Sequence, residues 1–381
     1  MASESVLITG GAGFIGTALA HRLVADGHRV RVLDTLSSQV HGDDPANTSP
    51  LLQAVSKVAE VRVGSVTDRS IVQDALEGID VVVHLAAETG TGQSMYEIAR
   101  YVEVNAGGTA LLLDVLAAGE HTVRKIVVAS SRAIYGEGKY QDSTGAVVYP
   151  AFRSDEQLAA GRFELVDPRD GNATLTTVPT DEGSRLSPSS VYGITKLTQE
   201  QLVLTSAPTV GVAGVALRYQ NVYGPGQSLR NPYTGILSIF STLIREGSEI
   251  NIFEDGLESR DFVFIDDVVA ATHAAMFSPA ADGLAINVGS GVSTTVLDVV
   301  AELERAFERS ARVVVSGNYR LGDIRHNVAD LTLAERVLDY RPTVTFAEGI
   351  GRFVGWVKDT RLEAGAYERS LDELRSRSLL K

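Results

Sequence analysis

The sequence predicts an α/β protein with a doubly wound parallel sheet and a smaller C-terminal lobe. Three observations support this prediction. Short apolar runs rich in branched residues recur along roughly the first 220 of the 381 residues. Amphipathic helical patterns lie between these runs, and a glycine-rich turn follows the first of them. Such alternation is typical of a parallel sheet that is covered by helices on both faces.

The predicted strands are short apolar segments with turn residues at their ends. They cover residues 6–8, 28–33, 58–63, 80–85, 125–129 and 212–217. Helical periodicity is clearest over residues 94–118 and 188–206. Ligands of such sheets bind beyond the carboxyl ends of the strands. We therefore expect residues 86–87, 130–131 and 218–221 to meet at one cleft.

The chain is long enough for two structural parts. We expect residues 1–220 and 260–291 to form the sheet domain, and residues 221–259 and 292–381 to form the smaller lobe. Residues 137–183 are polar, rich in glycine and aspartate, and without clear periodicity. Because a structureless stretch of this length is unusual in a compact domain, this segment is predicted to be an inserted lobe or lid.

Composition excludes several classes of function. The formal net charge of −14 opposes nonspecific binding to nucleic acid. The chain has no cysteine, so disulfides and thiolate metal sites cannot form, and no metal site is predicted. We find no charged-then-apolar leader and no apolar run long enough to cross a membrane. The expectation is a cytoplasmic protein without a membrane partner.

A glycine-rich turn follows the first predicted strand. Gly10 and Gly13 permit a tight turn and a close approach of the backbone to a pyrophosphate. Gly16 lets the next helix pack on the strand, and Phe14 and Ile15 lie between these glycines. The helix N terminus offers N–H donors and positive potential to phosphates. The pattern predicts a Rossmann dinucleotide site, although a turn of this kind can also bind nothing.

Asp34 strengthens the dinucleotide interpretation. It ends the second predicted strand, about 20 residues after the glycines, where a carboxylate can bind both hydroxyls of an adenosine ribose. A carboxylate at this place repels a 2′-phosphate. We therefore predict NAD, rather than NADP, as the cofactor.

Tyr192 and Lys196 lie four residues apart in a predicted helix, so their side chains share one face. A neighbouring cation favours the phenolate and lowers the pKa of a phenol from about 10 toward neutrality. A phenol in that range can act as a base. The spacing alone is common in helices, but beside a dinucleotide site it predicts an acid/base pair.

Several further motifs occur in a fixed order along most of the chain. They are His84-Leu-Ala-Ala87, Asn105, Ser130-Ser-Arg-Ala-Ile-Tyr-Gly136, Arg218-Tyr-Gln-Asn-Val-Tyr-Gly-Pro225 and Ser259-Arg-Asp-Phe-Val263. Together with the glycine turn and the Tyr-Lys pair, they resemble the extended short-chain dehydrogenase/reductase family of nucleotide-sugar epimerases and dehydratases. The resemblance implies a Rossmann fold, NAD, a nucleotide-diphosphate sugar substrate and a homodimer formed through the helices at 94–118 and 188–206.

The resemblance also implies roles for individual residues. Tyr192 is the implied acid/base, Lys196 binds the nicotinamide ribose, and the hydroxyl of Ser131 hydrogen-bonds the reacting sugar oxygen. Further cofactor contacts are implied at Ser65, Val66, Leu85, Ala86, Ala87 and Asn105. Family members often have an aspartate where Ser65 stands, so this chain departs from the family pattern at the adenine contact.

Four residues beyond Ser131 are implied to bind the substrate. Asn221 would lie near the phosphates, and Arg260 and Arg320 would clamp the diphosphate, since a guanidinium fork suits phosphate oxygens. Asp323 matches a family position that pairs with nearby groups or contacts the nucleotide. Each arginine could instead form a surface salt bridge.

The residues after Ser131 narrow the reaction. Dehydratases of this family place an Asp-Glu pair there, and the related decarboxylases place a glutamate at the second position. This chain has Arg132 and Ala133, which cannot do that acid–base work. We therefore predict an NAD-dependent nucleotide-diphosphate hexose 4-epimerase with a transient 4-keto intermediate, and more narrowly one for a dTDP-6-deoxyhexose. The alternatives are a 4,6-dehydratase or reductase whose missing groups come from elsewhere, such as Glu137, and a non-catalytic NAD-binding regulator.

Overall fold

A computed structural model describes residues 3–360, apart from residues 170, 172 and 230–234. The last part of the predicted smaller lobe, residues 361–381, lies outside this description. The strands are β1 (Ser5–Thr9), β2 (Arg29–Asp34), β3 (Glu60–Val63), β4 (Val81–His84), β5 (Lys125–Ser131), β6 (Tyr140–Gln141), β7 (Val147–Val148), β8 (Thr176–Thr177), β9 (Ala213–Tyr219), β10 (Asn221–Tyr223), β11 (Glu249–Ile252), β12 (Ser259–Phe264), β13 (Ala285–Val288), β14 (Ser293–Thr295) and β15 (Arg312–Val315).

Helices alternate with these strands, as predicted. The α-helices are α1 (Phe14–Ala25), α2 (Ser38–His41), α3 (Pro45–Thr48), α4 (Pro50–Val55), α5 (Arg69–Leu76), α6 (Thr91–Ser94), α7 (Ile98–Tyr101), α8 (Gly108–Ala118), α9 (Asp155–Ala159), α10 (Val191–Ser206), α11 (Ile236–Glu246), α12 (Ile265–Phe277), α13 (Val296–Phe307), α14 (Thr332–Leu338) and α15 (Phe346–Asp359). A π-helical segment, Val102–Gly107, joins α7 to α8, and a 3₁₀ turn, Arg132–Ile134, follows β5.

Seven parallel strands form the main sheet in the order β13-β9-β5-β4-β1-β2-β3. This confirms the predicted doubly wound sheet. The strand order reverses at β1, whose neighbours are β2 and β4. Thr9 lies opposite Leu33 on one side and opposite His84 on the other. The loops that follow these strands therefore share one edge of the sheet, where a crevice is expected.

The core covers both faces of the sheet. Val6 and Ile8 of β1 pack into one apolar cluster, whereas Leu7 between them packs into another on the opposite face. Leu112 of α8 and Val203 of α10 belong to this second cluster. Because successive side chains point to opposite faces, a strand that is buried on both faces must be apolar throughout. This explains the continuous apolar runs in the sequence.

The helical stretch Ile98–Ala118 corrects one expectation. By length and composition it could cross a membrane, although no continuous apolar run of that length stands out in the sequence. The two criteria differ because average hydropathy tolerates scattered polar residues. In this fold Leu112 and Leu116 of the stretch are buried in the core. The core helix of a globular domain meets the same criteria.

The smaller lobe carries two small sheets, β10-β12-β14 and β11-β15. β12 pairs with β10 in parallel and with β14 in antiparallel orientation, so the chain joins the lobe sheet near residue 260 before α12 and β13 return to the main domain. Residues 137–183 contain the sheet β7-β6-β8 and helix α9. Tyr140, Leu165 and Leu175 form a small core there. Two-residue strands leave no periodicity that could be read from the sequence.

Candidate active site

A cleft of about 890 Å³ lies at the carboxyl ends of the main strands and extends to the smaller lobe. Most of the predicted site residues line it. They are Gly10, Gly13, Phe14, Ile15, Gly16, Asp34, Ser65, Val66, Leu85, Ala86, Ala87, Ser131, Tyr192, Asn221, Arg260, Arg320 and Asp323. Asn105 and Lys196 are not among the lining residues.

The glycine turn is shaped by close backbone contacts. Gly10 has φ +69°, and a Cβ there would lie 2.8 Å from the backbone nitrogen of Ala86. A Cβ on Gly16 would lie 2.5 Å from the Cα of Gly11. No side chain caps α1, which begins directly after Gly13. The first N–H groups of this helix are therefore available to an anionic ligand.

Asp34 is held at the mouth of this turn by the backbone. Its two carboxylate oxygens accept hydrogen bonds from the backbone N–H groups of Ala12, at 3.1 Å, and Leu36, at 2.9 Å. His41 Nε2 lies 3.8 Å from Asp34 Oδ1. Burial lowers the pKa of His41, although the charge of Asp34 acts in the opposite direction. Asp34 thus presents a fixed carboxylate to the cleft beside a mainly neutral imidazole.

Tyr192 and Ser131 meet because a helix start packs closely on a strand end. Ser190 caps α10 by accepting from the backbone N–H of Gly193. A Cβ on Gly193 would lie 2.6 Å from the carbonyl oxygen of Ala133, in the turn after Ser131. Only a glycine permits this approach. The phenol of Tyr192 consequently lies close enough to Ser131 for the serine hydroxyl to act on its pKa.

The electrostatic environment of Tyr192 differs from the prediction. Burial raises the pKa of Tyr192 above its usual value, while the hydrogen bond with Ser131 and the charge of Arg132 act in the opposite direction. The predicted lowering by Lys196 is not found. Lys196 instead donates to Gln199 Oε1 at 2.7 Å, and burial lowers the pKa of Lys196 itself to about 7. Desolvation outweighs the neighbouring charge because Lys196 is buried and Tyr192, although partly exposed to the cleft, is closely surrounded by protein atoms.

Asn105 takes a different place from the predicted one. Its side chain is fully buried in the π-helical segment. Its Oδ1 accepts from the backbone N–H of Glu88 at 2.7 Å, and its Nδ2 donates to the carbonyl oxygen of Glu88 and to Thr195 Oγ1. The structure therefore does not bring this amide into the cleft. Asn105 shapes the loop after β4, whose Glu88 lines the cleft.

Arg260 and Asp323 form an ion pair, with 2.9 Å between Arg260 Nη2 and Asp323 Oδ1. The Arg260 guanidinium also donates to three backbone carbonyls around it. Nearby positive charge, above all that of Arg260, holds the pKa of Asp323 below its usual value, although desolvation by the surrounding protein acts in the opposite direction. Most donors of Arg260 are therefore engaged within the protein, and fewer remain for a diphosphate than predicted.

Arg320 is in the opposite situation. Its guanidinium lies over the ring of Phe253, with 4.7 Å from Cζ to the ring centroid. Its buried Nε has no hydrogen-bond partner within the described part of the chain. A buried guanidinium donor without a partner is costly, so a ligand oxygen at this place would stabilise it.

Arg132 lines the cleft directly after Ser131. From the sequence, this residue served only as evidence against a dehydratase, and no role was predicted for it. It begins the 3₁₀ turn after Ser131, and its Nε donates to Asn221 Oδ1 at 2.5 Å. No described carboxylate forms an ion pair with it. Burial lowers the pKa of Arg132 to about 10, so the guanidinium is still charged at neutral pH. Arg132 and Asn221 both line the cleft and together direct mainly N–H donors into it.

Glu258 is a cleft residue that the sequence analysis missed. Burial raises its pKa to about 7. Its Oε2 has no hydrogen-bond partner within the described residues and lies 3.8 Å from Arg325 Nη1. Asn251, which also lines the cleft, likewise has a buried Oδ1 without a partner. The only available signal was the position of Glu258, two residues before Arg260.

The segment 137–183 supports the site from behind. Its described residues do not line the cleft. Arg153 donates to Glu254 Oε2 at 2.7 Å and to the carbonyl oxygen of Asp323 at 3.1 Å, so the segment braces the loop that carries Arg320 and Asp323. Glu137 is buried and accepts from the backbone N–H of Arg325. It faces this ionic cluster, so the described residues of the segment contact this loop from outside the cleft, and the inserted lobe or lid stays a prediction.

The chain is similar in sequence and in fold to known nucleotide-sugar epimerases. The sequence model of the "NAD dependent epimerase/dehydratase family" matches residues 6–154 and 171–289. A dTDP-L-rhamnose 4-epimerase of Burkholderia thailandensis is 39% identical over 93% of this chain and 95% of its own length. A UDP-glucose 4-epimerase of Mycolicibacterium smegmatis is 31% identical over 93% and 98%, respectively. The structure of UDP-glucuronic acid 4-epimerase from Bacillus cereus, in complex with UDP-glucuronic acid and NAD, superposes with a TM-score of 0.75 at 25% identity, covering 93% of this chain and 99% of that one.

Proposed function

We propose that this chain, which belongs to the NAD-dependent epimerase/dehydratase family, is a nucleotide-diphosphate hexose 4-epimerase. The observation that carries the proposal is the Ser131–Tyr192 pair in the cleft, followed by Arg132 and Ala133 in place of an acid and a base. The likeness to a dTDP-L-rhamnose 4-epimerase supports a dTDP-6-deoxyhexose as the substrate.

The residues of the cleft fit NAD. The uncapped start of α1 and the absence of a Cβ at Gly10 suit a pyrophosphate, and the carboxylate of Asp34 suits the two hydroxyls of a ribose. Bound NAD supplies the acceptor and later the donor of one hydride. We assign Lys196 to the nicotinamide ribose. We assign Ser65 and Val66 to the adenine side of the cleft.

The proton chemistry belongs to Tyr192 and Ser131. Tyr192 takes the proton of the C4 hydroxyl as base and returns it to the C4 oxygen as acid. Ser131 hydrogen-bonds the same oxygen and keeps it beside the phenol. Because desolvation favours the neutral phenol, Tyr192 must first lose its proton to solvent in the cleft before it can act as base. Ser131 and the cation of Arg132 both favour that loss.

Substrate binding is proposed for the side that faces the smaller lobe. Arg320 offers an unpartnered Nε to the diphosphate, with a smaller contribution from Arg260, and Asp323 orients Arg260. Arg132 and Asn221 present donors between the phosphates and Tyr192. The 4-keto sugar then turns over in the cleft and receives the hydride on its other face. This step requires no further acid or base.

The alternatives have less support. A dehydratase or reductase would need groups from elsewhere, and Glu137, the candidate named from the sequence, does not line the cleft. A non-catalytic NAD-binding regulator would have no use for a phenol and a hydroxyl placed next to each other in the cleft.

The proposal is tested by incubating the protein with dTDP-L-rhamnose and with other nucleotide hexoses, and by following both C4 epimers by NMR. We expect interconversion without net reduction of NAD. Accumulation of a 4-keto-6-deoxy sugar would favour dehydration. Binding of NAD without conversion of any nucleotide sugar would favour a regulator.

We also propose a cytoplasmic homodimer. Ile98, Val102 and Ile194 are 52%, 46% and 51% exposed on the neighbouring helical stretches 98–118 and 191–206. Large apolar side chains clustered in this way suit a twofold contact between two copies. Ile194→Glu should reduce the mass measured by sedimentation to that of a monomer, and an unchanged mass would place the contact elsewhere. The cytoplasmic location rests on composition alone.

A further inference from the structure

A buried chain of hydrogen bonds ends at Lys196. The ammonium donates to Gln199 Oε1 at 2.7 Å, and Gln199 Nε2 donates to Thr109 Oγ1 at 2.8 Å. Gln199 and Thr109 are both fully buried. Gln199 lies on α10 and Thr109 on α8, so the chain crosses from one helix to the other.

The direction of each bond follows from counting protons. Thr109 gives its single hydroxyl proton to the carbonyl oxygen of Asn105 at 2.6 Å, so its oxygen acts as an acceptor for its other neighbours. His84 Nε2, at 2.9 Å, must then carry a proton, and His84 Nδ1 accepts from Thr9 Oγ1 at 2.7 Å. Burial lowers the pKa of His84 to about 3, which agrees with one donor and one acceptor on a neutral ring.

The same count of protons also determines the orientation of the side-chain amide of Gln199. Since Thr109 can only accept, the NH₂ group of Gln199 must face Thr109, and its oxygen must face Lys196. The assignment does not depend on the tautomer of His84, because the proton of Thr109 is already committed. The acceptor that holds the ammonium is therefore set by Thr109 on α8 and by its bond to the carbonyl oxygen of Asn105.

We propose that Gln199 is a positioning residue that fixes the ammonium of Lys196 for the nicotinamide ribose of NAD. In the protonated form of Lys196, an amide oxygen accepts one N–H and leaves the charge and two further donors available. Glu200, the nearest carboxylate on the same helix, is already bonded by Ser130 and Arg218. It therefore does not draw the ammonium away.

The other end of this series of hydrogen bonds lies at the glycine-rich turn of the dinucleotide site. The backbone N–H of Ala86 donates to Thr9 Oγ1 at 3.3 Å. Ala86 lines the cleft and is the residue that the Gly10 backbone approaches. One continuous set of bonds thus ties the loop beside the expected pyrophosphate to the ammonium expected at the nicotinamide end.

The test compares two ligands that differ at the nicotinamide ribose. The variant is Gln199→Met, and the matched control is Gln201→Met, which makes the same change at an exposed position of α10. Dissociation constants of NAD and of ADP, which lacks the nicotinamide ribose, are measured by calorimetry. Gln199→Met should weaken NAD about tenfold or more and leave ADP unchanged, since one charged hydrogen bond is no longer oriented. In turnover, kcat should fall while the KM for the nucleotide sugar is retained.

Equal affinity of Gln199→Met and the unchanged protein for NAD would overturn the inference, as would an equal loss for NAD and ADP. If Gln199→Met does not fold, Thr109→Val replaces it, because this variant removes the acceptor that holds the amide. It should weaken NAD by a smaller factor and leave ADP unchanged, and an equal or absent effect on the two ligands would again overturn the inference. The inference rests on the proposed NAD site, but no nucleotide sugar enters the binding test. An unchanged protein that binds no NAD would overturn the proposed function as well, whereas failed epimerisation with selective NAD loss would overturn the proposed function alone.

Discussion

The two sides of the cleft differ in how they treat buried polar atoms. On the side built by β1, β2 and β4, donors and acceptors are paired within the protein, as in the hydrogen-bond chain from Thr9 to Lys196. On the side that faces the smaller lobe, polar atoms of Asn251, Glu258 and Arg320 are buried without a partner among the described residues. An unpaired buried polar group destabilises the fold unless a ligand completes it.

This difference separates two kinds of recognition. The dinucleotide side is preformed, because glycine contacts, helix starts and a fixed carboxylate need no ligand to be stable. The substrate side carries polar groups whose bonding is incomplete within the protein. A substitution on the substrate side should therefore lower the affinity for the ligand without lowering the stability of the fold. A substitution on the dinucleotide side should lower the affinity for NAD and the stability of the fold together.

The largest effect of a substitution is expected for Tyr192, which lies where the two sides of the cleft meet. Tyr192→Phe removes the proton-transferring oxygen and should lower kcat by at least about a thousandfold. The affinities for NAD and nucleotide sugar should change only a few-fold, which calorimetry can measure. Tyr149→Phe, in the inserted segment, is the control. If Tyr192→Phe turned over like the unchanged protein, the acid/base would be another group.

Gly10→Ala should damage the dinucleotide side most. The positive φ and a Cβ placed 2.8 Å from Ala86 N should together cost about 2–4 kcal/mol. We expect NAD affinity and the free energy of unfolding in urea to fall together. Gly351→Ala on α15 is the control, because its Cβ would meet nothing within 4 Å. Loss of NAD affinity in Gly10→Ala with full stability would show that this side is not preformed.

Asp34→Asn tests the carboxylate without changing its shape. The negative charge is removed, and one of the two acceptors is kept, because the backbone N–H groups of Ala12 and Leu36 bond different carboxylate oxygens. NAD should weaken by about tenfold, and the preference for NAD over NADP should shrink, because a 2′-phosphate is no longer repelled. The ratio of the two dissociation constants measures this. An unchanged ratio would mean that Asp34 does not hold the ribose.

Arg320→Met tests the opposite behaviour on the substrate side. The variant removes a buried donor without a partner and replaces the cation over the ring of Phe253 by an uncharged thioether that can still pack there. Affinity for the nucleotide sugar should fall about tenfold, while the free energy of unfolding should stay constant or increase. Arg336→Met, at an exposed position of α14, should change neither quantity. A loss of stability in Arg320→Met would show that Arg320 serves the fold rather than the ligand.

The sequence predicted the parts of this molecule that depend on local geometry. Strands that are buried on both faces must be apolar throughout, so the sheet could be predicted from the sequence. A turn that binds a pyrophosphate needs glycine, so the residues from Gly10 to Asp34 could be predicted as well. The placement of Tyr192 and Lys196 on one helix was predicted correctly, their acid/base role stays a prediction, and their electrostatics were not predicted. The pKa of Tyr192 depends on burial, and the partner of Lys196 depends on a bond between Gln199 and Thr109, which are 90 positions apart. No local pattern encodes such contacts.

The inserted segment marks the other limit of the sequence. The segment is tied to the rest of the protein by buried ion pairs such as that of Arg153 with Glu254, and these partners lie about a hundred positions apart. Its composition suggested a lid because polar residues are more often exposed than paired in a cluster. Glu258 escaped notice for a similar reason, since a glutamate in a loop is ordinarily solvated.

The smallest effect is expected in the pH dependence of stability. Burial raises the pKa of Glu258 in the folded state to about 7 from 4.5, so folding favours its protonated form. Its cost to stability is absent below the unfolded pKa, grows as the pH rises toward 7, and is constant above that. Glu258→Gln should therefore match the unchanged protein at pH 4.5 and exceed its free energy of unfolding at pH 8 by on the order of 1 kcal/mol.

The free energy of unfolding of Glu258→Gln should still decrease between pH 4.5 and pH 8, although less than that of the unchanged protein. This remaining decrease is expected because burial raises the pKa of Glu137 to about 7 as well. Glu246→Gln, at an exposed position, is the control and should leave the pH profile unchanged. Urea unfolding between pH 4.5 and pH 8 measures all three proteins. If the profile of Glu258→Gln ran parallel to that of the unchanged protein, Glu258 would be ionised without cost, and the substrate side would hold no such unpaired acid. If Glu258→Gln were instead less stable at pH 8, the carboxylate would be a structural partner of Arg325, and the contrast between the two sides of the cleft would rest on Asn251 and Arg320 alone.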